Sequence, residues 1–415
     1  MKKYVIIGNG TAAAGCIEGI RSIDREGAIT VVSEEKQHVY CRPLISYYLE
    51  KKTDLERIKY RPADFYEKNA CTVIYGKRAE RIDPSKKEVI LDDGQALPYD
   101  SVCVAAGSTP FVPPTDGLDT VSEKHTFLTL DDALSLEKAV SADKRVLIVG
   151  AGLIGLKCAE GLCGRVKSIT VCDLSERVLS SILDAESAAT VKKHLEENGI
   201  SFMLSDSAER FVGNVAVMKS GVEVPFDILV CAVGVRANTA LVRDVGGKCT
   251  RGIEIDKYMR TSIPDIYAAG DCTETRDMSD GKVKVMAILP NAYIEGNAAG
   301  INMAGGNKVF DCAVPMNSIG FFGLHIMTAG CRGEVSEGFE VYEEKTEKTL
   351  KKLYIKDGFM VGFVLVGNTE RAGIYTSIIR QRTPIDSVNF NNLKKNPNLS
   401  VFDAEYRGKK LKGVV

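Results

Sequence analysis

The sequence predicts an α/β protein: two dinucleotide-binding βαβ domains followed by a C-terminal α+β domain. Three observations carry this. Two apolar runs, Tyr4-Val5-Ile6-Ile7 and Arg145-Val146-Leu147-Ile148-Val149, lead into the glycine-rich turns Gly8-Asn9-Gly10-Thr11-Ala12-Ala13 and Gly150-Ala151-Gly152-Leu153-Ile154-Gly155. Short β runs alternate with helix-period segments before residue 313, the pattern of mostly parallel sheets covered by helices. Beyond it, Lys352-Leu353-Tyr354-Ile355 and Met360 to Val366 flank Lys356-Asp357-Gly358, and an Asp-Gly so placed signals a hairpin.

Each glycine turn is a Rossmann-like pyrophosphate site in outline. Gly8 and Gly10, and likewise Gly150 and Gly152, let the backbone approach a pyrophosphate whose charge meets the N-terminus of the next helix. Ala13 replaces the third glycine of the first copy; the second keeps Gly155, with Ile154 beside it. A ribose-binding acid should follow the second strand of each unit. Glu34 stands there after Ile29-Thr30-Val31-Val32, ahead of Glu35, and Asp173 follows Ile169-Thr170-Val171-Cys172. A carboxylate at Asp173 accepts from a 2′-hydroxyl and repels a 2′-phosphate, so NADH is preferred over NADPH, with Arg177 near enough in sequence to soften the preference. Two such units on one chain point to two dinucleotides held together, a flavin facing a nicotinamide.

The expected organisation places an FAD-binding domain at 1–111 and 240–312, an NAD(P)H-binding domain at 112–239 and an α+β interface domain at 313–415. Pro110-Phe111-Val112-Pro113-Pro114 continues neither helix nor central strand and reads as the crossing between domains. Ile266-Tyr267-Ala268-Ala269-Gly270-Asp271 is expected to return the chain to the first domain. A chain of 415 residues that is 45% hydrophobic, with net charge −1, suits two or three cored domains and gives no global pull toward nucleic acid or membrane. No apolar run approaches the ~20 residues of a membrane span, and the N-terminal run is too short for a signal peptide. Twelve cysteines without a CxxC read as reduced thiols of a cytoplasmic protein, and four histidines without ligand spacing give a metal nothing to bind.

Further motifs carry a resemblance. Ala105-Ala106-Gly107-Ser108-Thr109-Pro110 resembles the ATG motif of the FAD-dependent pyridine nucleotide oxidoreductases with two dinucleotide domains. Val233-Gly234-Val235-Arg236-Ala237-Asn238-Thr239 resembles their G-x-R-P-N-T, with Ala237 in place of proline. Thr261 to Asp271 is similar to the second FAD motif, which implies that Gly270 and Asp271 meet the ribityl and phosphate region. Pro290-Asn291-Ala292 and Gly296 resemble the helix start facing the flavin pyrimidine, and Ala79 matches the position whose backbone meets adenine. Tyr40-Cys41-Arg42-Pro43-Leu44-Ile45-Ser46 is similar to the Y-x-R-P-x-L-S element of the rubredoxin, ferredoxin and nitrite reductase-like branch, and implies that Arg42 contacts the FAD phosphates. Val314 to Leu324 and Val366 to Gly373 resemble, more loosely, the small interface domain of that branch. The resemblance implies hydride transfer from NADH to FAD, then single electrons to or from a ferredoxin-like iron–sulfur protein or rubredoxin. The basic residues Lys394, Lys395, Arg407, Lys409, Lys410 and Lys412 would steer an acidic partner or form a solvated surface, and a homodimer is compatible with the chain.

Two departures from the family pattern matter. Disulfide reductases of the family use CxxxxC after the first acidic residue, whereas Cys41 is the only thiol in this window and falls ahead of the redox-active position, nearer Pro43. A thiol role for Cys41 would make the protein an NADH oxidase, peroxidase or low-molecular-weight disulfide reductase. A third reading is the flavin subunit of a larger redox complex. The ferredoxin reductase branch also carries a lysine–glutamate pair beside flavin N5, and here Tyr47 and Lys157 stand at those positions. Lys157 then either approaches the isoalloxazine or nicotinamide, where a cation favours the reduced flavin, or reaches out into solvent.

Overall fold

The computed structural model describes residues 1–311, 313–331 and 338–411. It divides into two units, one of Met1–Leu174, Gly199–Asp277 and Lys282–Ala313, the other of Ser175–Asn198, Met278–Gly281 and Val314–Val415.

In the first unit, β1 (Lys3–Ile7) leads through the first glycine turn into α1 (Thr11–Ile23), and β2 (Ala28–Ser33) follows. The short helix α2 (Ile45–Leu49) comes before β3 (Cys71–Tyr75) and β4 (Ser101–Val104). With Ile266–Ala268 added beyond β4, these strands form a five-stranded parallel sheet in the order Ile266–Ala268, β4, β1, β2, β3. Val5, Ile6 and Ile7 of β1 are buried in succession, as a parallel strand covered on both faces requires.

A second parallel sheet repeats this plan. It is built from β5 (Lys124–Thr126), β6 (Arg145–Val149), β7 (Ser168–Asp173), β8 (Ile200–Leu204) and β9 (Ile228–Cys231), in the order β8, β7, β6, β9, β5. Helix α3 (Leu130–Ala139) precedes β6, and α4 (Leu153–Leu162) follows the second glycine turn. The proline-rich crossing begins as an antiparallel ribbon pairing Ser108–Pro110 with Val235–Ala237.

Helix α5 (Leu289–Met303) lies against α1 at backbone distance. A Cβ on Gly15 would stand 2.4 Å from the Tyr293 carbonyl oxygen, and one on Gly296 would stand 1.9 Å from that of Ala12. Small residues on both helices thus bring the start of α5 beside the first glycine turn.

The second unit holds an antiparallel sheet of β10 (Met316–Phe321), β11 (Leu324–Gly330), β12 (Phe339–Lys345), β13 (Leu350–Lys356) and β14 (Phe359–Val366), in the order β10, β11, β14, β13, β12. The Asp-Gly hairpin forms between β13 and β14, with φ of 51° at Asp357 and 76° at Gly358, the left-handed pair a tight two-residue hairpin needs. Helix α6 (Ala372–Gln381) buries Tyr375, Ile378 and Ile379 against Phe363 and Leu365. The helix Ala185–Glu197 belongs to this unit as well, because buried Lys352 pairs with Asp184 at 3.0 Å and Glu186 at 2.9 Å at its N-terminus. Lys412 lies outside the described residues.

Candidate functional site

At the first turn, the Gly8 N–H donates to the Val32 carbonyl at 2.8 Å. Gly8 has φ +109°, and a Cβ there would lie 2.2 Å from the Ala105 carbonyl oxygen. The fit closes the turn onto the Ala105-Ala106-Gly107 motif. Gly10 is the N-cap of α1 without a capping side chain, and nothing lies within 4 Å of where its Cβ would stand. Ala13 is fully buried. Glu34 follows the end of β2 and is exposed. Its neighbour Glu35 is engaged, accepting from the Tyr40 hydroxyl at 2.5 Å and the Arg42 guanidinium at 2.5 Å. Tyr40 in turn accepts from the Leu130 N–H at 2.8 Å, and Arg42 donates to the Leu128 carbonyl at 3.3 Å. The Tyr40-Cys41-Arg42 segment is therefore pinned to the start of α3.

Asp271 follows Gly270, which has φ +86°. Burial pushes the Asp271 carboxyl above its ordinary range, and the Arg42 charge opposes that shift. The Arg42 side chain keeps 40% of its surface accessible. Asn291, in the first turn of α5, is 1% exposed, and its Nδ2 has no hydrogen-bond partner among the described residues. A buried amide donor normally finds an acceptor. That orphaned donor, the uncapped helix start at Gly10 and the accessible Arg42 head fit a dinucleotide with a pyrophosphate and a polar ring edge, as FAD has. Ala79, at the start of the strand Ala79–Asp83, is buried.

The second turn repeats the first. The Gly150 N–H donates to the Cys172 carbonyl at 2.8 Å, and with φ +118° a Cβ on Gly150 would lie 2.3 Å from the Ala232 carbonyl oxygen. Gly152 caps α4 without a side-chain partner and faces open space, while a Cβ on Gly155 would lie 2.0 Å from the Gly150 carbonyl oxygen. Ile154 is half-buried at the helix start. Asp173 ends β7, and its Oδ2 accepts from the Ala151 N–H at 2.7 Å. The carboxylate predicted for the ribose thus also braces the turn. Gly234, φ +121°, leads into the ribbon, where the Asn238 side chain donates to the Ala106 carbonyl at 2.9 Å and its N–H to the Gly107 carbonyl at 3.0 Å. Two motifs far apart in sequence meet there.

Between the turns, α2 rests on α4. A Cβ on Gly161 would stand 3.0 Å from Leu49 Cβ and 3.1 Å from the Ser46 carbonyl oxygen. Arg165 donates to the Leu49 carbonyl at 2.6 Å and forks onto Glu137 at 2.7 and 2.9 Å. The Lys157 ammonium pairs with Glu160, lies 3.9 Å from Glu50 Oε1 and sits 4.7 Å from the centre of the Tyr47 ring. Lys157 is 16% exposed, so the solvent-reaching alternative is not what the structure holds, and the two residues singled out as a departure meet face to face. Glu160 is legible as an i,i+3 partner of Lys157, whereas Glu50 reaches it only through the packing of α2 on α4. Cys41 is half-buried, and burial pushes its thiol up, against a weaker pull from the Leu44 N–H. On balance these causes favour the neutral thiol over the nucleophilic thiolate.

Comparison with known proteins agrees with this architecture. The pyridine nucleotide-disulphide oxidoreductase family model matches residues 2–296, and that of the rubredoxin NAD+ reductase C-terminal domain matches 315–383. The chain is 32% identical over 392 residues to the NADH-dependent phenylglyoxylate dehydrogenase subunit epsilon of Aromatoleum evansii, covering 92% of each. It is 30% identical to nitrite reductase [NAD(P)H] of Bacillus subtilis, matching 92% of this chain and 48% of that protein, about half of the relative's length. Putidaredoxin reductase, solved in its covalent complex with putidaredoxin, shares the fold with TM-score 0.86 at 23% identity, over 100% of this chain and 99% of that one. The chain belongs to the pyridine nucleotide-disulphide oxidoreductase family and is an FAD-dependent NAD(P)H oxidoreductase.

Proposed function

We propose that this protein moves reducing equivalents between NADH and a small redox protein, a ferredoxin-like iron–sulfur protein or rubredoxin. The observation that carries this reading is the pair of equivalent glycine turns in one unit, each ending at an uncapped helix N-terminus with open space before it. When bound, FAD would supply the means of accepting a two-electron hydride and of passing its electrons on singly. The residues supply position and electrostatics. Gly8, Gly10 and Ala13 allow close approach to the FAD pyrophosphate, Glu34 takes the ribose, and Ala79 meets the adenine with its backbone. Arg42 and Asp271, with Gly270, hold the phosphate and ribityl region, and Asn291 donates to the pyrimidine edge. Ala106 and Gly107 shape the wall that Gly8 packs on. Gly150, Gly152, Ile154 and Gly155 hold the NADH pyrophosphate, Asp173 selects the 2′-hydroxyl, and Gly234 lets the chain pass close by. Lys157 places a cation beside the reacting rings.

The same reading assigns 1–111 with 240–312 to FAD, 112–239 to NAD(P)H and 313–415 to partner docking. A cytoplasmic location fits the eleven described cysteines, all unbridged, and no described helix is long and apolar enough to cross a membrane. Mixing the purified protein with NADH and then with ferredoxin, rubredoxin or a dye tests the acceptor: turnover with one redox protein well above its oxidase rate supports the reading, and turnover with oxygen alone contradicts it.

A second reading, the flavin subunit of a larger complex, draws on the 92% mutual coverage with a relative that is itself named a subunit. It predicts dye reduction by the isolated chain without turnover of any free redox protein.

A further inference from the structure

Helix α5 carries a carboxylate inside the first unit. Glu295 is 2% exposed. Its Oε2 accepts from the Gly270 N–H at 2.8 Å and lies 2.8 Å from Thr273 Oγ1, and its Oε1 lies 2.5 Å from Thr275 Oγ1. Thr273 Oγ1 also lies 2.7 Å from the Gly270 carbonyl oxygen. A proton count decides the state of this network. Thr273 has one hydroxyl proton and two oxygens to satisfy, while an ionised carboxylate offers none. If Glu295 is a neutral acid, its O–H donates to Thr273, Thr273 donates to the Gly270 carbonyl and Thr275 donates to Oε1. Each contact then holds one proton.

The surrounding charges point the same way. Asp271 adjoins Gly270, so an ionised Glu295 would put a second negative charge beside it. Among the described residues, the titratable groups facing Glu295 are Asp271 and Cys272 on the turn and Cys103 on β4, none of them a cation. Arg42 acts on Asp271 from beyond. Burial pushes the Glu295 carboxyl up, Asp271 adds to it, and hydrogen bonds from Thr275, Gly270 and Thr273 only partly offset them.

We propose that Glu295 is a positioning residue for the FAD site: as a neutral carboxylic acid it ties the Gly270-Asp271 turn to α5 and leaves Asp271 as the single carboxylate presented to the flavin. The proposal rests on the assignment of Asp271 to FAD made above.

The test is FAD affinity of the deflavinated protein, followed by flavin fluorescence quenching from mildly acidic to mildly alkaline pH, for wild type, Glu295→Gln, Glu295→Ala and Asp271→Ala. Glutamine is neutral at every pH and keeps three of the four contacts, its oxygen accepting from Gly270 and Thr273 and its nitrogen donating to Thr275, at the expense of the Thr273 bond to the Gly270 carbonyl. Glu295→Gln therefore binds FAD within about tenfold of wild type at the acidic end. Wild-type affinity falls as pH rises and Glu295 ionises, whereas Glu295→Gln stays flat. Glu295→Ala binds about tenfold more weakly at every pH, with circular dichroism confirming that it is folded. Coincident pH profiles for wild type and Glu295→Gln, or wild-type affinity in a folded Glu295→Ala, overturn the proposal. Loss of FAD in Asp271→Ala alongside either result leaves the site assignment standing, and a wild type with no FAD affinity refutes that assignment itself.

Discussion

The ammonium of Lys157 lies 4.7 Å from the centre of the Tyr47 ring, joining the helix that follows the second glycine turn to the helix that follows Arg42. The contact brings these two helices together around one cation, which Glu160 and Glu50 balance. Both acids are nearly buried, at 5% and 7% exposure, so the cation matters to their stability.

Lys157→Met should therefore do two things. It should destabilise the protein by about 3 kcal/mol in urea unfolding, because Glu160 loses a buried counter-charge, and Lys157→Met with Glu160→Gln should regain part of that loss. It should also lower the flavin midpoint potential, since a nearby cation favours the reduced flavin. An unchanged potential together with an unchanged hydride-transfer rate would remove Lys157 from the reacting centre.

Gly161 sets how closely α2 approaches α4. Gly161→Val would push Leu49 and Ser46 away and strain the Arg165 bond to the Leu49 carbonyl, at a cost of about 1–3 kcal/mol. Thermal unfolding measures this, and a melting temperature equal to wild type would show that the helices part freely.

Asp173 braces the Ala151 N–H, and the proposed function also gives it the ribose. Asp173→Ala should lower kcat/KM for NADH about 10- to 100-fold, the scale of a lost charge-assisted hydrogen bond. It should lower that for NADPH by less, because a 2′-phosphate is no longer repelled. Steady-state kinetics with both nucleotides decide it, and an unaltered NADH/NADPH ratio would take Asp173 out of the ribose site.

Cys41→Ser should leave NADH-dependent dye reduction within about twofold of wild type. Burial holds the Cys41 thiol above its ordinary value, so the neutral thiol predominates at neutral pH and the thiolate grows only as pH rises. Alkylation by iodoacetamide should accordingly be slow at neutral pH and speed up in alkali. Fast labelling at neutral pH with loss of turnover would instead favour the peroxidase or disulfide reductase reading.

Both glycine turns were legible because each glycine answers a local demand: positive φ at Gly8 and Gly150, open space at Gly10 and Gly152. The Asp357-Gly358 hairpin was legible for the same reason, since two successive left-handed residues select that dipeptide. The ribbon pairing Thr109 with Arg236 was only half visible, because prolines mark where a strand cannot continue and not what it pairs with. Glu295 and Glu50 left no local signal. Glu295 reads as one more charge on a helix until the small residues Gly15 and Gly296 draw α5 against α1, and Glu50 matters only because Gly161 lets α2 settle on α4. The grouping of Ala185–Glu197 with the C-terminal sheet likewise depends on Lys352, a residue that sequence alone places on an alternating strand.

The most direct test is an anaerobic titration of the purified, flavin-loaded protein with NADH, followed by visible absorbance. The account predicts stoichiometric bleaching of the oxidised flavin bands, with recovery on adding an oxidised ferredoxin or rubredoxin. A protein that binds no flavin, or a yellow one that NADH leaves unbleached, would contradict it.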